Sequence, residues 1–177
     1  MSAVEVLYSE KQRFRQWWLW LTVLTPSITI ETVFIWAIYQ QIFLNTKFGD
    51  NPTSNFALII LAIVFGIGFG IGLPTLLYIC GLDTKVTKHG MYIKFLPFHR
   101  KWVFFEYENI AKAEPLTYSP LKDYGGWGIR HGRKGKAYNV SGNKGAFLTL
   151  KDKRNILVGS NDHKVLCSLI NKHIPRN

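Results

Sequence analysis

A chain of 177 residues is long enough for one domain of ordinary size, or for a smaller domain together with membrane segments. Its formal net charge of +11 resides entirely in residues 81–177, because the acidic and basic side chains of residues 1–54 balance and residues 55–80 carry none. A region this basic is attracted to polyanions such as anionic lipid, nucleic acid or an acidic protein face. The two cysteines, Cys80 and Cys167, form no CxxC pair, which excludes the usual redox and zinc motifs and fits a reducing compartment.

Two long apolar runs occupy residues 17–44 and 56–82. Each exceeds the roughly 20 residues that a helix needs to cross the hydrocarbon core of a bilayer. The stretch between them is short and polar, so residues 17–82 are predicted to form a two-helix transmembrane hairpin. The alternative is a pair of buried helices, which so small a protein has too little other mass to cover. A cleaved signal peptide is disfavoured, because the first run is too long and a second run follows it.

Lysines and arginines flank the outer ends of the two runs. Three lie in residues 11–15 before the first run and two in residues 85–88 after the second, whereas the connecting loop contains only Lys47. The positive-inside rule therefore predicts that both termini are cytoplasmic. Residues 1–16 are then a cytoplasmic N-terminal segment, and residues 83–177 a cytoplasmic domain.

Four glycines in the second run form two overlapping GxxxG spacings: Gly66, Gly68, Gly70 and Gly72. Missing side chains let helix backbones approach closely. This face is predicted to pack against the other helix of the hairpin or against another copy of the chain.

Glu31 lies near the middle of the first run, where a lone acid is costly and marks a functional site by default. No Lys, Arg or His lies in either run to pair with it. The alternative, which we favour, is a protonated Glu31 bonded to Ser27, Thr29 or Thr32, or a helix shifted so that the acid reaches the interface.

The C-terminal region changes to short segments typical of β-strands. Hairpins are predicted around His89-Gly90, residues 132–135 and residues 151–154, and further strands over residues 100–106 and 110–118. Short strands at close spacing predict an antiparallel barrel or sandwich.

A C-terminal amphipathic helix is predicted to close this β-structure. Ser160 or Asn161 is the expected cap, and Pro175 ends the helix. Its apolar face is predicted to consist of Val165, Leu166, Leu169 and Ile170.

Four stretches carry a resemblance to a known architecture: Phe98–Trp102, Tyr124–Arg130, Ala137–Gly145 and Ile156–Ser160. Together with Phe48–Pro52 in the connecting loop, they resemble small uncharacterised bacterial membrane proteins. These have two spans followed by a bacterial pleckstrin-homology-like (PH-like) domain. The resemblance implies a PH-like fold for residues 83–177 and a multi-pass location in the bacterial inner membrane, and it implies architecture more than activity.

The strongest candidate for lipid or anion binding is the hairpin tip that holds Arg130, Arg133, Lys134 and Lys136. A cation near an anionic bilayer surface contributes about 1 kcal/mol. The alternative is a solvated turn kept soluble by its charge. Many PH domains bind phosphoinositides through a basic loop between their first strands; here only His89-Gly90 stands in that place, so binding of that kind is not expected.

No catalytic pattern is apparent. The histidines show no HExxH spacing, no serine sits in a GxSxG elbow, and no nucleic-acid recognition motif accompanies the positive charge. We therefore expect a non-enzymatic, membrane-anchored PH-like binding or scaffold module with no metal or cofactor. Its candidate partners are the bilayer, further copies of the chain or another protein. Two alternatives stay open: an oligomeric pore or transporter accessory that uses Glu31 and the glycine-rich run, and an enzyme with an unrecognised site.

Overall fold

The computed structural model describes residues 5–175 of the chain. They divide into two compact units. A helical unit covers Arg15–Tyr78, and a β-domain is built from residues 5–14 together with residues 79–175. The β-domain is therefore discontinuous in sequence, with the helical unit inserted between its two parts.

The helical unit contains α1 (Trp17–Phe43) and all but the last residue of α2 (Asn55–Ile79). Both are long and apolar enough to cross a membrane, and only 11% and 6% of their apolar windows are buried. They pack along each other as a hairpin, with Phe34 stacked on Phe65 at 5.6 Å between ring centroids. Within α2 the glycine-rich stretch Gly66–Gly72 is wound as a π-helix.

The predicted second run extends three residues beyond α2. Gly81 and Leu82 belong instead to the first strand after the helices, and Leu82 is fully buried in the β-domain. An apolar side chain fits a protein core as well as a bilayer, so hydropathy alone places the end of the run too late.

Two sheets form the β-domain within the described residues. The first has the order β1-β2-β3-β4 and is antiparallel throughout. Its strands are β1 (Val6–Arg13), β2 (Gly81–Thr87), β3 (Gly90–Leu96) and β4 (Val103–Glu106). The predicted hairpin at His89-Gly90 joins β2 to β3, whereas the third strand is shorter than the predicted residues 100–106.

The second sheet has the order β5-β8-β9-β7-β6. Its strands are β5 (Ile110–Thr117), β6 (Gly128–Gly132), β7 (Gly135–Asn139), β8 (Lys144–Leu150) and β9 (Asn155–Gly159). The pairing of β7 with β9 is parallel and all others are antiparallel, so the expectation of a purely antiparallel sandwich is wrong for that pair. A short helix, α3 (Pro120–Tyr124), precedes β6.

Strand β1 is the main departure from the sequence-based expectation, which treated residues 1–16 as a separate segment. It pairs with β2, with Arg13 opposite Gly81. Gln12 Nε2 donates to the Gly159 carbonyl of β9 at 2.7 Å, so β1 also links the two sheets. This strand could not be predicted from local sequence, because its pairing partner β2 follows the whole helical unit in the chain.

The C-terminal helix α4 (His163–His173) packs on β5 and β8 of the second sheet and on β2 and β3 of the first. Leu166 and Ile170 are buried as predicted, but Val165 is 52% exposed, and Cys167 and His163 complete the buried face instead. The buried face of α4 is therefore rotated about the helix axis relative to the predicted apolar face.

The start of α4 is capped differently from the expectation. Asp162, rather than Ser160 or Asn161, occupies the N-cap position. The Asn161 amide donates to Glu10 Oε1 at 2.8 Å, so a carboxylate of β1 satisfies a free amide next to the helix N-terminus.

Candidate functional site

The β6–β7 hairpin carries all four of the predicted anion-binding side chains. Gly132 pairs with Gly135, which leaves Arg133 and Lys134 at the tip. Gly135 has φ 116°, a value that favours glycine, and a Cβ there would overlap the Asn155 carbonyl oxygen. The missing side chain therefore lets the tip lie against the beginning of β9.

This approach creates a groove of about 610 Å³ between the β6–β7 and β8–β9 hairpins. Its walls carry five basic side chains, which we call the cationic groove: Arg133, Lys134, Lys136, Lys153 and Arg154. Lys153 and Arg154 were not among the predicted anion-binding residues. They lie in the next hairpin, and only the parallel pairing of β7 with β9 brings them beside the tip.

The charges of the cationic groove are only partly balanced. Arg154 Nη2 lies 2.6 Å from Asp152 Oδ2, and Lys134 Nζ lies 3.6 Å from Asp123 Oδ1. The backbone amide and guanidinium of Arg154 hold the pKa of Asp152 below its usual value, so this carboxylate stays charged.

Three groove cations keep their charge available for a ligand. The Lys136 ammonium lies over the Tyr138 ring, 4.8 Å from its centroid. Across residues 5–175, no carboxylate comes within salt-bridge distance of Arg133 or Lys153. The groove thus offers a concentration of positive charge to an anion.

Arg130, the fourth predicted side chain, lies away from the groove. It lines a second cavity of about 430 Å³, which we call the apolar cavity. Its other lining residues are mostly apolar: Phe14, Cys80, Phe95, Phe98, Trp127, Gly128 and Ile129. Arg130 Nε donates to the Trp127 carbonyl at 2.9 Å, which fixes the guanidinium beside the cavity.

The glycine-rich stretches on either side of β6 and β7 form a hydrogen-bonded framework. Asn139 is fully buried, accepts from the Gly128 amide at 2.9 Å and donates to the Tyr118 hydroxyl at 3.0 Å. Trp127 Nε1 donates to the Gly142 carbonyl at 3.0 Å. Burial raises the pKa of Tyr118 to about 12, so its hydroxyl stays neutral and able to accept.

In the helical unit, Glu31 of α1 lies against the glycines of α2. A Cβ added to Gly66 would lie 3.2 Å from Glu31 Oε2, and one added to Gly70 would lie 2.6 Å from Oε1. Gly68 meets nothing within 4 Å, and Gly72 faces the Ile67 carbonyl of its own helix. Of the four predicted packing glycines, two therefore make room for the acid.

The hydrogen bonds expected for Glu31 are not formed. The hydroxyls of Ser27, Thr29 and Thr32 donate instead to backbone carbonyls four residues earlier in α1. Glu31 Oε1 is buried and has no hydrogen-bond partner among the described residues. A buried carboxyl oxygen without a donor is energetically unfavourable, which makes this position a second candidate site.

A third polar cluster joins β1 to the start of α4. Both Ser160 Oγ and the Tyr8 hydroxyl donate to Glu10 Oε2 at 2.6 Å. Burial and this hydrogen bond raise the pKa of Tyr8. These bonds join strand β1 to the turn before α4. Within residues 5–175, no group of three His, Cys, Asp or Glu side chains is arranged to hold a metal ion.

Neither a protein-family model nor a curated protein matches this chain.

Proposed function

We propose that the chain is a membrane-anchored, non-enzymatic PH-like binding module, in which α1 and α2 hold the β-domain at the bacterial inner membrane. The cationic groove binds the headgroups of anionic lipids. The observation that carries this proposal is the groove itself, where five basic side chains surround about 610 Å³.

The exposure of the two helices supports the membrane anchor. Buried core helices of a soluble protein hide most of their surface, whereas nearly all of the apolar windows of α1 and α2 is exposed. Exposing apolar surface to water costs about 25 cal/mol per Å². Embedding the helices in lipid removes that cost. The lysines and arginines of residues 11–15 and 85–88, which flank the helices, favour a cytoplasmic location for both termini.

The PH-like assignment is supported by the combination of two sheets with one C-terminal helix. Helix α4 packs on strands of both sheets, as a closing helix does in an open barrel. The parallel β7–β9 pair departs from the antiparallel pairing expected of that arrangement.

Electrostatics supports anionic lipid as the ligand. Each groove cation near an anionic bilayer surface contributes about 1 kcal/mol, and the attraction decays within a Debye length of roughly 10 Å. The expected affinity therefore depends on lipid charge and falls as salt rises.

Hydrogen exchange of the full chain in lipid nanodiscs tests the proposal. Amides of residues 131–136 and 151–155 are expected to exchange more slowly in discs that contain phosphatidylglycerol than in discs of phosphatidylcholine alone. High salt should remove the difference, because it screens exposed charges.

A matched pair of triple variants separates the groove from general positive charge. Arg133→Gln, Lys134→Gln and Lys153→Gln should abolish the dependence on lipid charge. Lys122→Gln, Lys164→Gln and Lys172→Gln remove the same charge from exposed positions outside the groove and should preserve it. Equal protection of the wild-type groove in both kinds of disc would count against lipid binding there.

Glu31 favours a second candidate function, an oligomeric pore or transporter accessory. Its buried carboxyl oxygen, which has no hydrogen-bond partner within residues 5–175, is suited to exchanging a proton or binding a cation within the bilayer. Ion flux into vesicles that contain the wild type is expected to exceed that with Glu31→Gln. Absence of flux with both proteins would leave the binding module as the function.

A further inference from the structure

The apolar cavity has a mostly hydrophobic lining and one cationic side chain. Aromatic and aliphatic side chains form most of its wall, and Arg130 is the charged residue among those lining it. Within the described part of the chain, Arg130 makes no salt bridge. An apolar cavity of about 430 Å³ with a cation at its wall has the size and chemistry of a site for an amphiphile with an anionic end.

Chain connectivity links the cavity to the apolar helices. Phe14 precedes the first residue of α1 by three positions, and Cys80 directly follows the last residue of α2. Because each residue spans at most about 3.6 Å, these two wall residues cannot be far from the helix ends. The chain therefore separates this part of the cavity wall from each helix by no more than a few residues.

Phe98 adds a second feature that favours a lipid occupant. It is 63% exposed and follows β3, whose last residue, Leu96, pairs with Gly81 at the point where the chain leaves α2. Two exposed cations, Arg100 and Lys101, follow it. An exposed aromatic beside cations is typical of segments at a membrane interface.

We propose that the apolar cavity holds one acyl chain of an anionic phospholipid, with the lipid headgroup bound by Arg130. This site is separate from the cationic groove and would retain a single lipid. The inference rests on the proposed membrane anchor but does not depend on the groove.

Photolabelling of the full chain in vesicles tests this inference. The probe is phosphatidylglycerol with a diazirine on its acyl chain, and labelled positions are mapped by mass spectrometry. Label is expected on α1 and α2 and, in addition, on Phe98 and residues 127–130 of the β-domain. Label on the helices alone would overturn the inference and leave the membrane anchor intact, whereas a chain without any label would overturn both.

Two exposed cations provide a matched comparison. Both Arg130 and Lys122 are exposed, but only Arg130 lines the apolar cavity, and Lys122 lines neither that cavity nor the cationic groove. Since a hydrogen bond to a charged group contributes on the order of a tenfold change in binding, Arg130→Gln should lower labelling of the β-domain about tenfold. Lys122→Gln should leave it unchanged. An equal loss in both variants would contradict a specific headgroup contact.

A cavity-filling variant distinguishes an enclosed chain from a surface contact. Ile129→Trp places a larger side chain on a half-buried wall position and should block labelling of Phe98 and residues 127–130. Unchanged labelling in this variant, with its thermal unfolding transition preserved, would show that the lipid lies outside the cavity and would overturn the inference. Arg130→Gln remains decisive if Ile129→Trp disturbs folding.

Discussion

Glu31 illustrates how a single acidic side chain is accommodated between two apolar helices. Its carboxyl group occupies space that two glycines of α2 leave open, and the closest approach is at Gly70. A side chain at Gly70 would overlap the Glu31 carboxyl group, whereas a side chain at Gly68 would point into open space. Only some glycines of the stretch are therefore needed to make room for Glu31. One GxxxG spacing therefore serves the contact between α1 and α2, and the other does not.

A leucine at position 70 should destabilise the helical unit. Gly70→Leu is expected to cost about 1–3 kcal/mol of unfolding free energy, as overpacking commonly does, whereas Gly68→Leu is the matched control with little effect. Titration of the detergent-solubilised chain with a denaturing detergent, followed by circular dichroism, measures both. In a Glu31→Ala background the penalty of Gly70→Leu should shrink, since contacting residues are coupled. An undiminished penalty would mean that Gly70 meets some other group.

His99 is expected to make the β-domain sensitive to acid. Burial, and to a smaller extent the charge of Lys136, lowers the pKa of His99 below its usual 6.5. Its Nδ1 accepts a hydrogen bond from the Phe95 amide at 3.2 Å, and its ring packs edge-on against Tyr138. The folded protein therefore favours the neutral imidazole.

Because the unfolded chain binds this proton more tightly, the stability that neutral His99 provides is present above pH 6.5. It is lost as pH falls through the lower pKa of the folded state. Urea unfolding at several pH values should show wild type losing more stability on acidification than His99→Gln. The exposed His89→Gln serves as the control and should behave like wild type. Identical pH profiles for wild type and His99→Gln would contradict the assignment.

The four arginines and lysines predicted as one anion-binding set show what a sequence reveals about a site. Arg133, Lys134 and Lys136 were predicted together because they lie close in one hairpin, and all three line the cationic groove. Arg130 is only three residues from the tip but lines a different cavity. Cavities depend on neighbouring strands, so proximity along the chain is a poor guide to which side chains share one.

Among the elements, β1 has the most consequences for the fold. It supplies Gln12, which is buried and bonded to the Gly159 carbonyl, and Glu10, which receives bonds from the turn before α4. Hairpins such as β2–β3 and β8–β9 were predictable, because their strands are neighbours in sequence and their turns have recognisable residues. The β1–β2 and β7–β9 pairs involve distant segments and leave no local signal.

Removing the Gln12 amide should weaken the link between the two sheets. Gln12→Ala leaves the Gly159 carbonyl without this donor, and such a loss typically costs about 1–3 kcal/mol of unfolding free energy. Lys11→Ala, next to it in β1 but exposed, should change stability by less than about 0.5 kcal/mol. The midpoint of urea unfolding compares the two variants. Equal effects would indicate that β1 contributes through its backbone pairing alone.

At the scale of the whole molecule, the helical unit is an insertion between two paired strands of the β-domain. The chain leaves at the end of β1 and returns at the beginning of β2, and these positions pair as Arg13 opposite Gly81. Composition revealed the boundary between apolar and basic regions but not that the domain begins before the helices. A β-domain assigned to residues 83–177 therefore omits an edge strand and the inter-sheet bonds that this strand makes.

This arrangement predicts how the β-domain can be isolated. Because β1 and β2 are antiparallel neighbours, residues 5–14 should connect to residues 79–177 through a short turn that replaces the helical unit. The joined protein should be soluble and unfold in one transition. A fragment of residues 79–177 alone loses the buried Phe14 and Gln12, and should be less stable by roughly 3 kcal/mol or more. Urea unfolding followed by tryptophan fluorescence measures the difference. Equal midpoints for the two proteins would mean that β1 is not part of the domain's cooperative core.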